Sequence, residues 1–283
     1  MKKRKMMYWI GGIVLLGLLL PGFNNALKIV PYQLRAEGIT QPIRIALVTD
    51  LHSCAYGEEQ QTLLDALEVQ APDLILLGGD IFDDRLPDDN TIRFLEGISG
   101  RYPCCYVTGN HEYRGSSEVY FQRMAILETC GIQRLSGEMA ALELRGVRLC
   151  ICGVDDPDAW TAGADFSIPS DSSFSEQLAR AAELPEESSY SILLTHRPER
   201  LALYSQYGFD LVLAGHAHGG QWRIPRILNG LLAPNQGLFP KYAGGEYEQN
   251  GTVMIVSRGL ARESTRVPRI YNRPELVIIE LSK

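Results

Sequence analysis

Ile43-Arg44-Ile45-Ala46-Leu47-Val48-Thr49-Asp50-Leu51-His52 is the stretch whose reading decides the fold. A β-rich run stops at a carboxylate, and a histidine follows two positions later. Side chains alternate with period two along extended backbone, so Asp50 and His52 fall on one side of the segment. Four later blocks repeat the design. Asp73-Leu74-Ile75-Leu76-Leu77 ends in Gly78-Gly79-Asp80, and Cys104-Cys105-Tyr106-Val107-Thr108 ends in Gly109-Asn110-His111-Glu112. Ser191-Ile192-Leu193-Leu194-Thr195 ends at His196-Arg197, and Asp210-Leu211-Val212-Leu213-Ala214 runs into Gly215-His216-Ala217-His218-Gly219-Gly220-Gln221. Helical spacing fills the gaps over 58–69, 90–98 and 117–128, the last with Ser116 or Ser117 as its cap. This alternation predicts a βαβ core. Arg145-Gly146, flanked by 142–144 and 147–154, predicts a hairpin that makes the sheet mixed. A helix over 174–182 and strands over 253–257 and 275–281 complete the reading, with no internal repeat.

In open α/β sheets ligands collect beyond the carboxyl ends of strands, so five such ends converge on one crevice. Carboxylates and an amide oxygen suit hard cations, and imidazoles suit Mn, Fe, Zn or Ni. The adjacent glycines permit tight turns. A lone histidine is more often a hydrogen-bonded structural residue than a ligand. Here all five histidines, His52, His111, His196, His216 and His218, lie in these blocks, and that concentration favours metal chemistry.

Asp50-x-His52, Gly79-Asp80-x-x-Asp83, Gly109-Asn110-His111-Glu112, His196 and Gly215-His216-x-His218 resemble, in order, the five blocks of the calcineurin-like metallophosphoesterase superfamily. The extended His216-Ala217-His218-Gly219-Gly220-Gln221, the late Ser257-Arg258-Gly259-Leu260 and Asn272-Arg273-Pro274-Glu275 are similar to its bacterial membrane-anchored phosphohydrolases. The resemblance implies an α/β (α+β) fold, a four-layer αββα sandwich of two mixed sheets flanked by helices. It implies two divalent metal ions (Mn, Fe or Zn), one held by Asp50, His52 and His218, the other by Asn110, His196 and His216, with Asp80 bridging. His111 would face the phosphate as a catalytic group, with Asp83 orienting it. Two metals sharing one solvent oxygen lower its pKa, and the resulting hydroxide attacks phosphorus. Arg197 and Arg258 have the forked geometry that suits phosphate oxygens, the alternative for each being an ordinary surface arginine.

At 45% hydrophobic and 22% charged, the 283-residue chain is globular. Its net charge is −7 although Lys2, Lys3, Arg4 and Lys5 stand together at the start. An acidic body argues against a nucleic-acid partner, which calls for a basic footprint. The basic cluster precedes an uncharged run, Met6 to Phe23, at the lower edge of bilayer-spanning length. No small-x-small cleavage site follows, so residues 1–27 read as a cytoplasmic tip and transmembrane signal anchor. Residues 28–42 then form a linker and 43–283 the phosphoesterase domain, on the extracytoplasmic side of the cell membrane. The six cysteines form no CxxC pair and read as buried thiols. The Pro/Gly-rich stretch from Ile224 to Tyr242, with Leu231, Leu232, Leu238 and Phe239, is either a lipid- or substrate-facing loop or one packed on its own core.

The expected function is hydrolysis of phosphate mono- or diesters at the membrane surface. A narrower alternative is a lipid-linked pyrophosphate, of the UDP-diacylglucosamine type. A third, from another class, is a non-catalytic metal-dependent scaffold, against which the intact His111 argues.

Overall fold

The computed structural model describes residues 20–161, 173–185, 190–265 and 267–283, together with Gly17 and Phe166. Two six-stranded sheets organise it. The first has the order β1 (Lys28–Arg35), β14 (Glu275–Ser282), β2 (Ile43–Val48), β3 (Leu74–Gly78), β4 (Cys104–Val107) and β5 (Gln133–Arg134). The second runs β12 (Gly245–Gln249), β13 (Thr252–Val256), β9 (Leu211–Ala214), β8 (Tyr190–Leu194), β7 (Val147–Gly153) and β6 (Glu138–Leu144). Both are mixed. β2 to β5 are parallel while β14 opposes β2; β7, β8, β9 and β13 are parallel while β6 and β12 oppose their neighbours.

Period-two alternation sorts each strand into two cores. Ile43, Ile45, Leu47, Leu74, Leu76 and Val107 of the first sheet meet Leu149, Ile151, Ile192, Leu194 and Leu213 of the second, so the sheets pack face to face. On the outer face of the first sheet, Ala46, Val48, Ile75, Leu77 and Tyr106 pack against helices α1 (Gln61–Gln70), α2 (Asp89–Ile98) and α3 (Ser117–Thr129), through Leu63, Phe94 and Leu127 among others. Leu193, Val212 and Met254 of the second sheet cover α4 (Phe174–Ala181) through Phe174 and Leu178. This is the expected four-layer sandwich. Ser116 caps α3 by accepting from the Val119 amide, and Ser173 and Glu176 form a capping box on α4. All six cysteines are buried thiols.

One expectation fails. Residues 28–35 are not linker but the edge strand β1, paired in parallel with β14 from Lys28 opposite Glu275 to Arg35 opposite Ser282. Leu34, Ala36 and Ile39 enter the central core. Pro31 sits within the strand, which an edge position tolerates because one side of the strand makes no ladder. Of the expected anchor, residues 1–27, all but Gly17 and residues 20–27 lies outside the described residues, and within the described part Leu20–Phe23 is a single 3-10 turn. Among the described residues no helix is long and apolar enough to cross a membrane.

Asp155, just past β7, joins elements of both sheets. It accepts from Thr108 Oγ1 at 2.9 Å, from Arg134 Nη2 at 3.1 Å and from Gln177 Nε2 at 2.9 Å, besides the Ser136 hydroxyl. Burial opposes its charge, but Arg134 and the hydroxyl and amide donors outweigh that and hold its carboxyl below the usual range. A folded-state pKa below the unfolded one stabilises above about pH 3.9, and the contribution is lost as pH falls through the folded value. Asp155→Ala should cost roughly 3–5 kcal/mol at neutral pH. Urea midpoints should show that cost shrinking toward pH 2; a pH-independent difference would refute the ionic origin.

A buried acid–histidine cluster at the strand ends

The parallel strands of both sheets end at one edge of the sandwich, and the segments beyond them hold the predicted residues. Past β2 and β3 the backbones stay paired: the amides of Asp50, His52 and Ser53 donate to the carbonyls of Gly79, Asp80 and Ile81 at 3.0–3.2 Å. The sheets are tied across this edge too, since the His216 amide donates to both Asp50 oxygens, at 3.0 and 3.2 Å. Leu260 donates to the carbonyls of Thr49 and Asp50. Gly259 has φ +70°, and a Cβ there would lie 2.6 Å from that of Asp50, so both conformation and space demand glycine.

Asp50, His52, Asp80, His216 and His218 all have left-handed backbone, with φ of 50°, 49°, 51°, 66° and 46°. Each such conformation costs on the order of 1–3 kcal/mol and persists only where surrounding structure imposes it. Buried Glu112 does much of the imposing. Its carboxylate accepts the amides of Asp80, Ile81, Phe82 and Gly109 at 3.0, 2.9, 3.2 and 2.7 Å. It thereby fixes the turn bearing Asp80 against the one bearing Asn110.

Asp50, His52, Asp80 and His218 each bring one donor atom within 4.8 Å of the others, and Asp80, His196 and His216 do the same. Asp80 is common to both groups. His52 Nε2, Asn110 Oδ1, His216 Nδ1 and His218 Nδ1 are buried and find no hydrogen-bond partner, while Asp80 Oδ2 and His196 Nε2 face each other at 3.1 Å. A buried polar atom left without a partner costs about 1–3 kcal/mol, and four in one place beside a shared carboxylate fit a site built for cations.

The opposite ring nitrogens are taken. Gly78 O faces His196 Nδ1 at 2.8 Å, Asp83 Oδ1 faces His52 Nδ1 at 3.0 Å, and Asn235 Oδ1 faces His216 Nε2 at 2.7 Å. The Gly78 carbonyl and the Asp83 carboxylate favour the tautomers of His196 and His52 that leave the inward nitrogen a lone pair, whereas at His216 Nε2 the Arg197 guanidinium also stands 3.1 Å away. Burial and the neighbouring cationic groups hold His216 and His218 well below their ordinary pKa, hence neutral. Asp80 and Asp50 outweigh the burial that opposes its charge and push His196 up to about 10, so an ion binding at Nε2 would displace a proton there. A third trio, His52, Asp83 and His111, is equally close, but the His52–Asp83 hydrogen bond explains it.

The model of the calcineurin-like phosphoesterases matches residues 43–220. The chain belongs to that family. It is 30% identical over 213 residues to a metallophosphoesterase of Campylobacter jejuni, covering 72% of this chain and 52% of the relative. It is 27% identical over 245 residues to phosphodiesterase YaeI of Escherichia coli, covering 85% and 82%. The chain spans between half and two thirds of the length of the first three relatives it matches. In fold it is similar to the NAD nucleotidase of Haemophilus influenzae, with a TM-score of 0.53 at 17% identity over 78% of this chain and 46% of that one.

Within the family's site, three expectations change. Arg197 is neither a surface residue nor open to phosphate: it is 4% exposed, and its fork grips Asp156 at 2.5 and 2.7 Å. Arg258 is likewise committed, pairing with the buried Glu275. Asp83 spends its closer contact on His52 and stands 3.3 Å from His111 Nδ1, whereas Asp84 Oδ1 reaches that atom at 2.7 Å. Sequence reasoning missed Asp84, Glu112, Asn235 and Arg114, whose Nη1 lies 2.6 Å from His111 Nε2. Arg114, three residues beyond His111, was open to discovery from sequence; Asn235 was not.

Asn235→Ala should leave the fold intact and weaken binding of the second divalent ion by about 10–100-fold, as outer-sphere losses do. Calorimetric titration with Mn²⁺ checks this; unchanged affinity would remove Asn235 from the site.

Proposed function

We propose that this protein hydrolyses phosphate esters with two divalent ions, one held by Asp50, His52, Asp80 and His218, the other by Asp80, Asn110, His196 and His216. The four partnerless donor atoms around a shared Asp80 carry the reading. When bound, such ions supply Lewis-acid polarisation of the phosphoryl group and lower the pKa of solvent water.

The chain's own contribution centres on His111, at the rim of the cluster. Its amide donates to Asp80 Oδ1 at 2.8 Å, and its ring stands edge-on to His52 with centroids 4.3 Å apart. Burial lowers its pKa, but Asp80, Asp83 and Asp84 outweigh that and raise it above the ordinary value. Asp84 holds Nδ1, so Nε2, which accepts from Arg114 here, is the ring atom that would pass a proton to a departing oxygen once a substrate takes up the Arg114 donor. Arg114, beside Nε2, is a second donor for the same anionic group. A cavity of about 470 Å³ opens alongside, lined by Asn110, Tyr113, Arg114, Gly115, Asp158 and Thr161. It offers the leaving group both a cationic and an anionic side chain.

Because one relative bears the name phosphodiesterase, diester hydrolysis is the specific reading to test first. We place the activity at the outer surface of a membrane, since Lys2 to Lys5 precede the uncharged run Met6 to Phe23. With Mn²⁺ supplied, bis-p-nitrophenyl phosphate, p-nitrophenyl phosphate and pyrophosphate should be assayed in parallel. Asp80→Ala should abolish turnover and metal uptake together, and full activity in that variant would sink the proposal. His111→Ala should keep its metal and lose about 10²–10⁴-fold in kcat. Metal-loaded protein that turns over no ester would establish the scaffold reading instead.

A further inference from the structure

The stretch from Trp222 to Lys241 leaves its apolar side chains uncovered. Ile227 is 82% exposed, Phe239 67%, Leu238 65%, Ile224 50%, Leu232 45% and Trp222 42%, half of the exposed large hydrophobics among the described residues. They form one surface through backbone pairing. Leu231 donates to Trp222 O at 2.9 Å, Phe239 donates to Leu231 O at 2.8 Å, and Leu232 opposes Leu238 in the short hairpin of β10 (Leu232–Ala233) and β11 (Gly237–Leu238).

Two observations say what such a surface meets. The first is charge. From Leu211 to Gly245 the sequence holds no Asp or Glu, although the chain carries −7 overall, while Arg223, Arg226 and Lys241 lie in the apolar stretch. Arg226 and Lys241 are exposed. The second is where the chain enters. Arg223 donates to Ile270 O at 2.9 Å, and Tyr271 donates to Gly22 O at 2.7 Å. The Leu20–Phe23 turn, with Leu20 62% and Phe23 47% exposed, therefore adjoins the same surface. It is the end of the uncharged run that begins at Met6.

We propose that residues 222–241 form a lipid-docking surface that seats the protein on an anionic bilayer. Exposed aliphatic and aromatic groups ringed by cations are what an interfacial segment needs, and such a face settles about 5–10 Å into the headgroup boundary. The surface also reaches the metal cluster, since the hairpin turn supplies Asn235 to His216. Docking thus presents the cluster to phosphoesters in the headgroup plane. That last step rests on the hydrolytic reading, whereas the docking itself does not.

The burial of all six native cysteines allows single-site labelling. Leu238→Cys and, as a control, Val69→Cys should each carry an environment-sensitive fluorophore in the full chain. Val69 is 77% exposed near the end of α1, at the sandwich edge away from the cluster. In vesicles of phosphatidylcholine and phosphatidylglycerol, a quencher near the top of the acyl chain should remove most of the Leu238 fluorescence and spare that of Val69. Arg226→Glu with Lys241→Glu should weaken that docking roughly tenfold or more. Equal insensitivity of both labels in vesicle-bound protein would overturn the proposal, as would quenching indifferent to charge reversal. Self-quenching of the Leu238 label in lipid-free solution would overturn it in favour of a second copy. Ester turnover measured on the same vesicles reports separately on hydrolysis.

Discussion

The Glu112 carboxylate is the interaction on which the site depends. One buried side chain gathers four amides from two separate turns. Strand pairing alone would bring the ends of β3 and β4 side by side without deciding how the chain leaves them. Glu112 decides it, and so decides where Asp80 and Asn110 point. Burial and the neighbouring Asp80 push its carboxyl above the ordinary range, against the pull of the amide donors.

The same economy runs through the site. Three of the four inward-facing imidazoles are held by an acceptor from a different part of the chain: a strand carbonyl for His196, a carboxylate for His52, a hairpin amide for His216. Left-handed backbone at five of the seven predicted ligands shows that these side chains are aimed against local conformational preference. The scaffold's two cores supply the rigidity that makes such aiming possible.

What was legible in the sequence was what is local. Strand–helix alternation, the period-two cores and the polar residues at strand ends are all written within a few positions of one another, and the structure brings those residues to one edge. What escaped was what depends on distant partners. Lys28–Arg35 resembles a linker because Pro31 and interspersed polar residues blur its alternation, and its pairing is with the opposite end of the chain. Arg197 has the look of a phosphate ligand until Asp156, 41 residues earlier, claims its fork. Glu112 stood in a motif already noticed, yet nothing in its neighbours announces that its work is to hold backbone.

The replacement of a linker by β1 has a mechanical consequence. A flexible fifteen-residue tether would let the domain wander over roughly 20 Å. Instead only residues 24–27 separate the Leu20–Phe23 turn from the sheet, a reach of at most about 14 Å. Even these are clasped, since Arg273 donates to the carbonyls of Ala26 and Leu27 at 2.9 and 2.8 Å. The domain is mounted rather than leashed: any tilt of the Leu20–Phe23 turn is carried into the sheet that bears Asp50 and Asp80. The cluster keeps a fixed bearing relative to that turn.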